Sequence, residues 1–560
     1  MRRGLAGSLA PTVAALAAAA VHVLAALHLD AHAPTAGEAR LAAGVYAAGG
    51  GAVGPVPLPL PDLLAARQLA AVTAPLPGSW SVWETAQAGA LGFGLLTAVL
   101  LWPVLRRQGC GSGPTALGVT LVGVTPPAVA LHSSVTAAAV GVPWLLLAAV
   151  LAGRGWLRRG AAALAILMAV VTAPLIGAAV LALAAHAVVD GTLSRTWGRL
   201  RRVAAGLVVG AAAVAVAVAV SGDRPLAGVA APPLPHGAAV TVAVIGIVLV
   251  AAGWSVRWVR PLLSPTVLLL VALLAPGPGR LAAALAVLPF LATVLAAVAE
   301  EVAVRVGTRA LWPVPVVATG AALVATVLLL PVPGRAPASG PSTVMSWMDE
   351  QMPGATLHAD ALDRAELIEA GFPAARLREL GAPVSSNDAV LLGARPGAAP
   401  AGTCSTGELR ATLPWWGGAR AQLCGAADPV TSDETEQAGR VRVGTALAGN
   451  HGLQLGPSAT DLHTTGRVDP RLMIVLSVLA SSHTLVISDF PTAPYEPGDV
   501  LRRQVLLTSV DGLPAASGPT FLRDWLDGQH APFVPAVVRV EDGGLMVGYR
   551  APTPAGLLPG

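Results

Sequence analysis

Long apolar runs fill the first three-fifths of the chain, and short polar segments separate them. At a rise of about 1.5 Å per residue, such runs are typical of helices that cross about 30 Å of hydrocarbon. The runs cover residues 9–29, 87–105, 114–131, 135–151, 203–220, 237–254, 262–275, 281–299 and 313–330. A further segment, 160–189, contains Pro174, which breaks a helix and predicts two short helices that meet at residues 171–174. The pattern therefore predicts a polytopic α-helical membrane domain with about eleven transmembrane helices.

The distribution of arginine predicts the side of the membrane that each loop occupies. Basic loops stay in the cytoplasm under the positive-inside rule. The arginines cluster at residues 2–3, 106–107, 154–159, 195–202, 257–260 and 305–309. Both flanks of 160–189 are then cytoplasmic, which agrees with an even number of crossings. With the N-terminus inside, an odd total places everything after residue 330 outside the membrane.

The composition changes abruptly at residues 331–344, PVPGRAPASGPSTV, which have the character of a Pro/Gly/Ser linker. The predicted organisation is a membrane domain (1–332) with a large first outer loop (30–86), a linker (333–344) and an extracytoplasmic α/β domain (345–560).

Periodicity predicts the elements of this last domain. Strands are expected at 356–360 and 484–490, and helices at 361–371 and 470–483. Residues 536–551 alternate around Asp542-Gly543-Gly544 and predict a hairpin whose turn requires positive φ.

Composition supports a membrane protein. Of the 560 residues, 54% are hydrophobic and only 12% are charged, and the mean hydropathy is +0.68. The net charge of +4 comes from arginine without any lysine, a usage typical of a GC-rich bacterial genome. Because no basic face with interleaved aromatic residues is present, nucleic acid is not expected as a partner. The predicted location is the cytoplasmic membrane of a bacterium.

The three cysteines agree with this topology. Cys404 and Cys424 fall in the predicted outer domain, where a disulfide persists, whereas Cys110 lies in a predicted cytoplasmic loop. The alternative is that Cys404 and Cys424 are two unrelated buried thiols. No C-x-x-C or H-E-x-x-H pattern occurs, so no metal ligands or cofactor are predicted, and a requirement for a divalent metal stays open.

Ionisable residues are rare within the apolar runs, which argues against ion-coupled transport. They collect instead in the predicted first outer loop and in the next outer turn. The candidates there are Asp30, Glu38, Arg40, Arg67 and His132. This distribution predicts a site at the outer mouth of a helical bundle, which a membrane lipid reaches laterally and an acceptor reaches from water.

The chain resembles the GT-C superfamily, and within it the bacterial enzymes related to protein O-mannosyltransferases. The likeness lies in the long acidic first outer loop, the paired short helices and the polar outer domain. It is carried by the segments LAGRGWLRRG, TPPAVALHSSVTAAAVGVPWLLLAAVLA, SWMDEQMPGATLHADALDRAELIEAGF, GRVDPRLMIVLSVLASSHTLVISDFP and GGLMVGYRAPTPAGLL. The resemblance implies transfer of a sugar from a polyprenyl-phosphate carrier to an envelope protein or glycan outside the membrane.

Such a reaction needs a carboxylate to accept the proton of the acceptor hydroxyl, and a cation or polar group to hold the phosphate. For an active enzyme, Glu38 or Asp30 is the expected base, Arg40 or Arg67 is the expected phosphate partner at a relocated position, and His132 is a candidate substrate-binding residue. The family usually has an Asp-Glu pair where this chain has Gly37-Glu38. Two further family positions depart as well, at the residues after His132, which read Ser133-Ser134, and at the apex Thr172-Ala173.

The sequence therefore leaves two functions open. One is an active transferase. The other is a non-catalytic relative that binds a lipid-linked sugar or a partner protein in cell-envelope assembly. In the second case Glu38 is a carboxylate at a helix start, Asp30 marks a membrane exit and His132 is a hydrogen-bonded interface histidine. Trp415 and Trp416 are either a platform for stacking a sugar ring or core residues beside the disulfide.

Overall fold

The computed structural model describes most of the chain. The described residues are 2–27, 34–54, 56–76, 80–153, 155–193, 236–274, 279–306, 340–385, 388–393, 404, 408–415, 420–425, 433–498, 500–517 and 520–558. Two compact units are present, residues 1–336 with 395–399 and residues 337–394 with 400–560.

The described part of the first unit is helical. Its helices are α1 (Arg2–Leu27), α2 (Ala36–Ala48), α3 (Leu60–Thr73), α4 (Val82–Arg107), α5 (Ser112–Gly123), α6 (Pro126–His132), α7 (Ala137–Leu151), α8 (Trp156–Thr172), α9 (Pro174–Leu193), α10 (His236–Gly253), α11 (Arg260–Leu274) and α12 (Gly279–Val306). The break between α8 and α9 falls at Ala173, next to Pro174, as the sequence predicts.

The prediction of about eleven transmembrane helices is wrong for this structure. Within the described residues, two helices are long and apolar enough to cross a bilayer, Val82–Arg107 and Leu281–Val306. A third qualifies if α5 and α6, which are bent by 53° at their junction, count as one span. The fold class inferred from the sequence, including its likeness to the GT-C architecture, is corrected accordingly.

The error has a physical cause. Hydropathy averages over a window and does not register where the backbone hydrogen bonds stop. The run at 114–131 is divided at Val124, and α7 and α11 have 15 residues each, about 22 Å of helix, which is short of a bilayer. The runs at 203–220 and 313–330 lie outside the described residues.

The predicted first outer loop contains two helices. Helices α2 and α3 pack against one another, and α3 packs on α4, α7 and α8. The buried residues of α3 are Ala65, Ala66, Leu69 and Thr73. The segment between α1 and α4 is therefore a helical hairpin on the bundle rather than an extended loop.

On α8, small side chains pack inside and large apolar side chains face outward. Ala162, Ala165 and Ala169 of α8 are buried, whereas Leu164 and Leu167 on the same helix are more than half exposed. The other exposed large apolar residues include Leu16, Leu96, Leu181, Ile247 and Val271. Helices that associate within lipid show this distribution, because close packing of small residues drives their contact there.

The first described element of the second unit is α13 (Gly340–Gln351), which includes the last five residues of the predicted linker. Pro341 falls in the first turn of α13, where a missing N–H costs nothing. A five-stranded sheet follows, in the order β2-β1-β3-β5-β4. Its strands are β1 (Leu357–Ala359), β2 (Leu377–Glu379), β3 (Ala389–Gly393), β4 (Glu408–Pro414) and β5 (Arg420–Gly425), with α14 (Ala361–Glu369) after β1.

The second sheet of this unit has the order β10-β11-β8-β7-β6, with β9 paired to β8. Its strands are β6 (Leu453–Leu455), β7 (Leu485–Asp489), β8 (Gln504–Val510), β9 (Leu513–Pro514), β10 (Val537–Glu541) and β11 (Gly544–Gly548). The accompanying helices are α15 (Glu434–Ala448), α16 (Pro457–Thr464), α17 (Pro470–Ala480) and α18 (Thr520–Asp527). An apolar core forms between this sheet and its helices, with Leu472, Leu476 and Leu507 at its centre.

The elements predicted for the second unit are confirmed. Strands β1 and β7 and helices α14 and α17 lie within the predicted segments. Strands β10 and β11 form the expected antiparallel hairpin. Asp542 and Gly543 at its turn have φ of 47° and 75°. Local signals suffice to place these elements because each is short and is bounded by residues that cap a helix or form a turn, such as Asp360, Asp469 and Gly543.

Candidate functional site

The carboxylate of Glu38 is built into the start of α2. The Thr35 hydroxyl accepts the backbone N–H of Glu38 at 3.3 Å, and Glu38 Oε2 accepts the N–H of Thr35 at 3.0 Å. This is a capping box, which satisfies two backbone groups that the helix itself leaves unpaired. The T-x-x-E spacing at residues 35–38 is the sequence signal for it.

The second oxygen of Glu38 reaches a different element. Oε1 accepts the backbone N–H of Val135 at 3.2 Å, in the turn between α6 and α7. The Glu38 side chain is 4% exposed. Both oxygens thus accept backbone N–H groups, and the carboxylate joins α2 to the α6–α7 turn.

His132 ends α6 and lies buried against α1. Its Nδ1 is 3.1 Å from Nε2 of His22, whose Nδ1 is 2.8 Å from the carbonyl oxygen of Ala18. Because a carbonyl oxygen only accepts, His22 carries its proton on Nδ1 and its Nε2 is left as an acceptor. When both histidines are neutral, Nδ1–H of His132 therefore donates to Nε2 of His22. Gly94 of α4 makes room for the ring, because a Cβ there would lie 2.4 Å from His132 Cγ.

Glu38 contacts the turn that directly follows His132, whereas the His132 ring itself lies against α1 and α4. The two predicted phosphate ligands do not show such a placement. Arg40 is half-buried on α2, and Arg67 is exposed on α3, away from the buried face of that helix. Asp30 lies outside the described residues. The catalytic and binding roles of all these residues stay predictions.

Trp415 is a core residue. It is 5% exposed, packs with the core of the first sheet and donates from Nε1 to Asp363 Oδ1 at 3.3 Å. A ring packed in this way has no face for a sugar, so the alternative interpretation, packing in the core, describes Trp415. Trp416 lies outside the described residues.

The predicted pair Cys404 and Cys424 forms a disulfide, with the two Cα atoms 5.6 Å apart. Cys110 is a free buried thiol. Burial, with the negative charge of Glu300 nearby, raises the pKa of Cys110 to about 12, so the thiol is unreactive at neutral pH.

Two polar groups in the second unit were not anticipated from the sequence. In the first, buried His358 of β1 places Nε2 3.2 Å from Asp388 Oδ2, just before β3. Burial would raise the pKa of Asp388, but hydrogen bonds from Ser385, His358 and Thr356 outweigh it and lower the pKa. The two residues are 30 positions apart, and only the parallel pairing of β1 with β3 brings them together.

In the second group, Asp469 caps α17 and pairs with Arg471. Its oxygens accept from Arg471 N at 2.8 Å, from Arg471 Nη2 at 2.7 Å and from the Thr553 hydroxyl at 2.8 Å. Arg471 also donates to the carbonyl oxygen of Arg550 and lies over the Tyr549 ring. The D-P-R order at 469–471 is a local signal that could have indicated this N-cap, since proline at N1 follows the capping aspartate. Sequence alone did not indicate that the C-terminal segment completes the group.

Within the described ranges, no group of three or more His, Cys, Asp or Glu residues is arranged to hold a metal ion. The depression along α15 is lined by that helix alone and is an open surface.

Comparison of this chain with protein-family models, curated proteins and solved structures finds no match. What the structure itself defines is an apolar helical unit followed by an α/β unit with two sheets. The resemblance to lipid-carrier-dependent transferases rests on the quoted segments and stays a prediction.

Proposed function

We propose that this protein is embedded in a bacterial cell membrane and binds a lipid-linked sugar in cell-envelope assembly without transferring the sugar itself. The observation that carries the proposal is the engagement of Glu38. A general base must present a lone pair to the acceptor hydroxyl. Glu38 is buried, and each of its oxygens already accepts a backbone N–H.

The outward-facing apolar side chains of the first unit support the membrane setting. Leu164, Ile247 and Val271 are each more than half exposed in the structure. Burying such side chains contributes roughly 1.5–3 kcal/mol apiece, so a lipid environment favours this surface strongly over water.

A second candidate function is sugar transfer from a polyprenyl-phosphate carrier. The contact of Glu38 with the turn directly after His132 favours it, because both candidate residues are then attached to the same turn.

Glu84 offers a matched control for the test. Ser81 and Glu84 form the same capping box at the start of α4, with Glu84 Oε2 2.9 Å from Ser81 N. Within the described residues, the Glu84 carboxylate makes no hydrogen bond to a second helix. The two positions thus differ in the contact to Val135.

We expect Glu38→Gln to lower the stability of the full chain by about 1–3 kcal/mol, because its amide nitrogen must face one of the two N–H groups. Glu84→Gln can turn its oxygen to the one N–H of Ser81 and should change stability little. Thermal unfolding in detergent measures the difference. Equal stability of the two variants would show that the Val135 contact does not hold the fold.

Incubation of the purified protein with a synthetic polyprenyl-phosphate sugar, together with an envelope-glycan fraction that supplies acceptor hydroxyls, separates the two functions. Non-catalytic binding predicts saturable retention of the intact lipid with no release of polyprenyl phosphate. Turnover that Glu38→Gln abolishes and Glu84→Gln preserves would establish the transferase instead. Absence of retention by the wild-type protein would rule out both.

A further inference from the structure

Four arginines surround the end of α4 and the turn between α7 and α8. Arg107 donates from Nη1 to the carbonyl oxygen of Ala152 at 3.4 Å. Arg158 lies beside Gly153, where a Cβ would be 3.7 Å from its Cδ. Arg106 donates to the carbonyl oxygen of Cys110, and Arg159 follows Arg158 on α8. All four side chains are exposed. We call this set the arginine cluster.

The nearby acids do not neutralise the arginine cluster. Glu300 accepts the backbone N–H of Gly111 at 2.6 Å, and Glu301 pairs with Arg305 on its own helix. Glu300 thereby ties α12 to the α4–α5 turn. Within the described residues, no carboxylate forms an ion pair with the four arginines. With the negative charge of Glu300 close to Arg106, a net positive surface of about three charges results.

An exposed apolar strip continues from this cluster along α8. Trp156 is 80% exposed and Leu157 is 66% exposed at its start, and Leu164 and Leu167 follow on the outward face. Tryptophan and arginine are enriched where a protein surface passes from acyl chains to headgroups. Trp156, Arg158 and Arg159 share the first turn of α8, and the leucine strip follows, so an interfacial turn precedes an acyl-facing surface along the helix.

We propose that the arginine cluster, with Trp156, binds the headgroups of anionic phospholipids in the membrane leaflet at this end of the bundle. This inference rests on the proposed membrane setting. The guanidinium groups match phosphate oxygens geometrically and remain charged at every physiological pH. A zwitterionic headgroup adds a positive charge that the cluster repels, so the surface prefers phosphatidylglycerol to phosphatidylcholine.

The full chain in detergent is titrated with phosphatidylglycerol or phosphatidylcholine, and bound lipids are counted by native mass spectrometry. The wild type is expected to bind phosphatidylglycerol more tightly. The double variant Arg158→Gln with Arg159→Gln should weaken that binding by about 25-fold, at roughly fivefold per arginine removed, and should leave phosphatidylcholine binding unchanged. Arg305→Gln, an exposed arginine already paired with Glu301, is the matched control and should bind both lipids as the wild type does.

Equal affinity of the wild type for the two lipids, or unchanged phosphatidylglycerol binding by the double variant, would overturn the inference. Because all substituted side chains are exposed, loss of fold is not expected, and the unchanged phosphatidylcholine binding checks it. Reconstitution into phosphatidylcholine vesicles and, separately, into phosphatidylglycerol vesicles tests the membrane setting by itself. Wild-type protein that inserts into the vesicles but shows no preference for phosphatidylglycerol in the titration contradicts only this inference. Protein that inserts into neither kind of vesicle contradicts both proposals.

Discussion

His463 is completely buried at the end of α16, edge-on to the ring of Phe490. Within the described residues, neither of its ring nitrogens has a hydrogen-bond partner. Burial lowers the pKa of His463 to about 4, because no acceptor stabilises the charged imidazolium. The folded protein therefore keeps this histidine neutral over a pH range in which the unfolded chain protonates it.

This difference makes the second unit sensitive to acid. The unfolded-state pKa is 6.5, so the free energy of unfolding should fall by about 1.4 kcal/mol per pH unit as the pH drops from 6.5 toward 4. We expect His463→Leu to remove most of this dependence. Hydrogen-exchange protection of α16 at pH 7 and at pH 4.5 measures it, with exposed His530→Gln as the control. Identical acid sensitivity of His463→Leu and the wild type would contradict the assignment.

Asp469 and Arg471 form a buried ion pair, in which each charge compensates the other. Asp469→Asn removes the countercharge while Arg471 stays 5% exposed, and breaking such a pair costs about 3–5 kcal/mol. Asp433→Asn is the matched control, because Asp433 also caps a helix but is exposed, and asparagine caps as well as aspartate. Hydrogen exchange should rise in α17 and around Thr553 for Asp469→Asn alone. Similar protection in both variants would show that the pair does not hold the C-terminal segment.

At the scale of elements, Gly444 sets the distance between α15 and α16. A Cβ at this position would lie 1.9 Å from the carbonyl oxygen of His463, which is backbone and cannot rotate away. Gly160 of α8, by contrast, has no atom within 4 Å of a Cβ. The same residue type therefore serves a close helix approach at one position and leaves open space at the other.

We expect Gly444→Ala to force α15 and α16 apart and to cost about 1–3 kcal/mol. Gly160→Ala should instead stabilise α8 by roughly 0.5–1 kcal/mol, since alanine loses less backbone entropy in a helix. Hydrogen exchange of peptides from α15, α16 and α8 reports each effect locally. Unchanged protection of α15 and α16 in Gly444→Ala would mean that the two helices can accommodate a Cβ without moving apart.

For the whole molecule, hydropathy located apolar helices but miscounted the complete crossings. The break at Ala173 was predictable, because proline leaves a carbonyl without its donor. The break between α5 and α6 carried the same signal in Pro126-Pro127, which the apolar run at 114–131 passed over, whereas its angle of 53° depends on neighbouring helices. Length along the sequence and length along a helix axis are different quantities, and only the second decides whether a helix spans a bilayer.

The sequence by itself determined features that depend on near neighbours in the chain. These are the hairpin at Asp542-Gly543, helices α14 and α17, the end of α8 and the change from apolar to α/β composition. Only the tertiary structure decided what Glu38, Trp415 and His132 do. Glu38 meets Val135, 97 positions away, Trp415 enters a core, and His132 finds His22 across 110 positions. Local signals act through backbone geometry within a turn or two, whereas a partner for a buried polar group is chosen by packing.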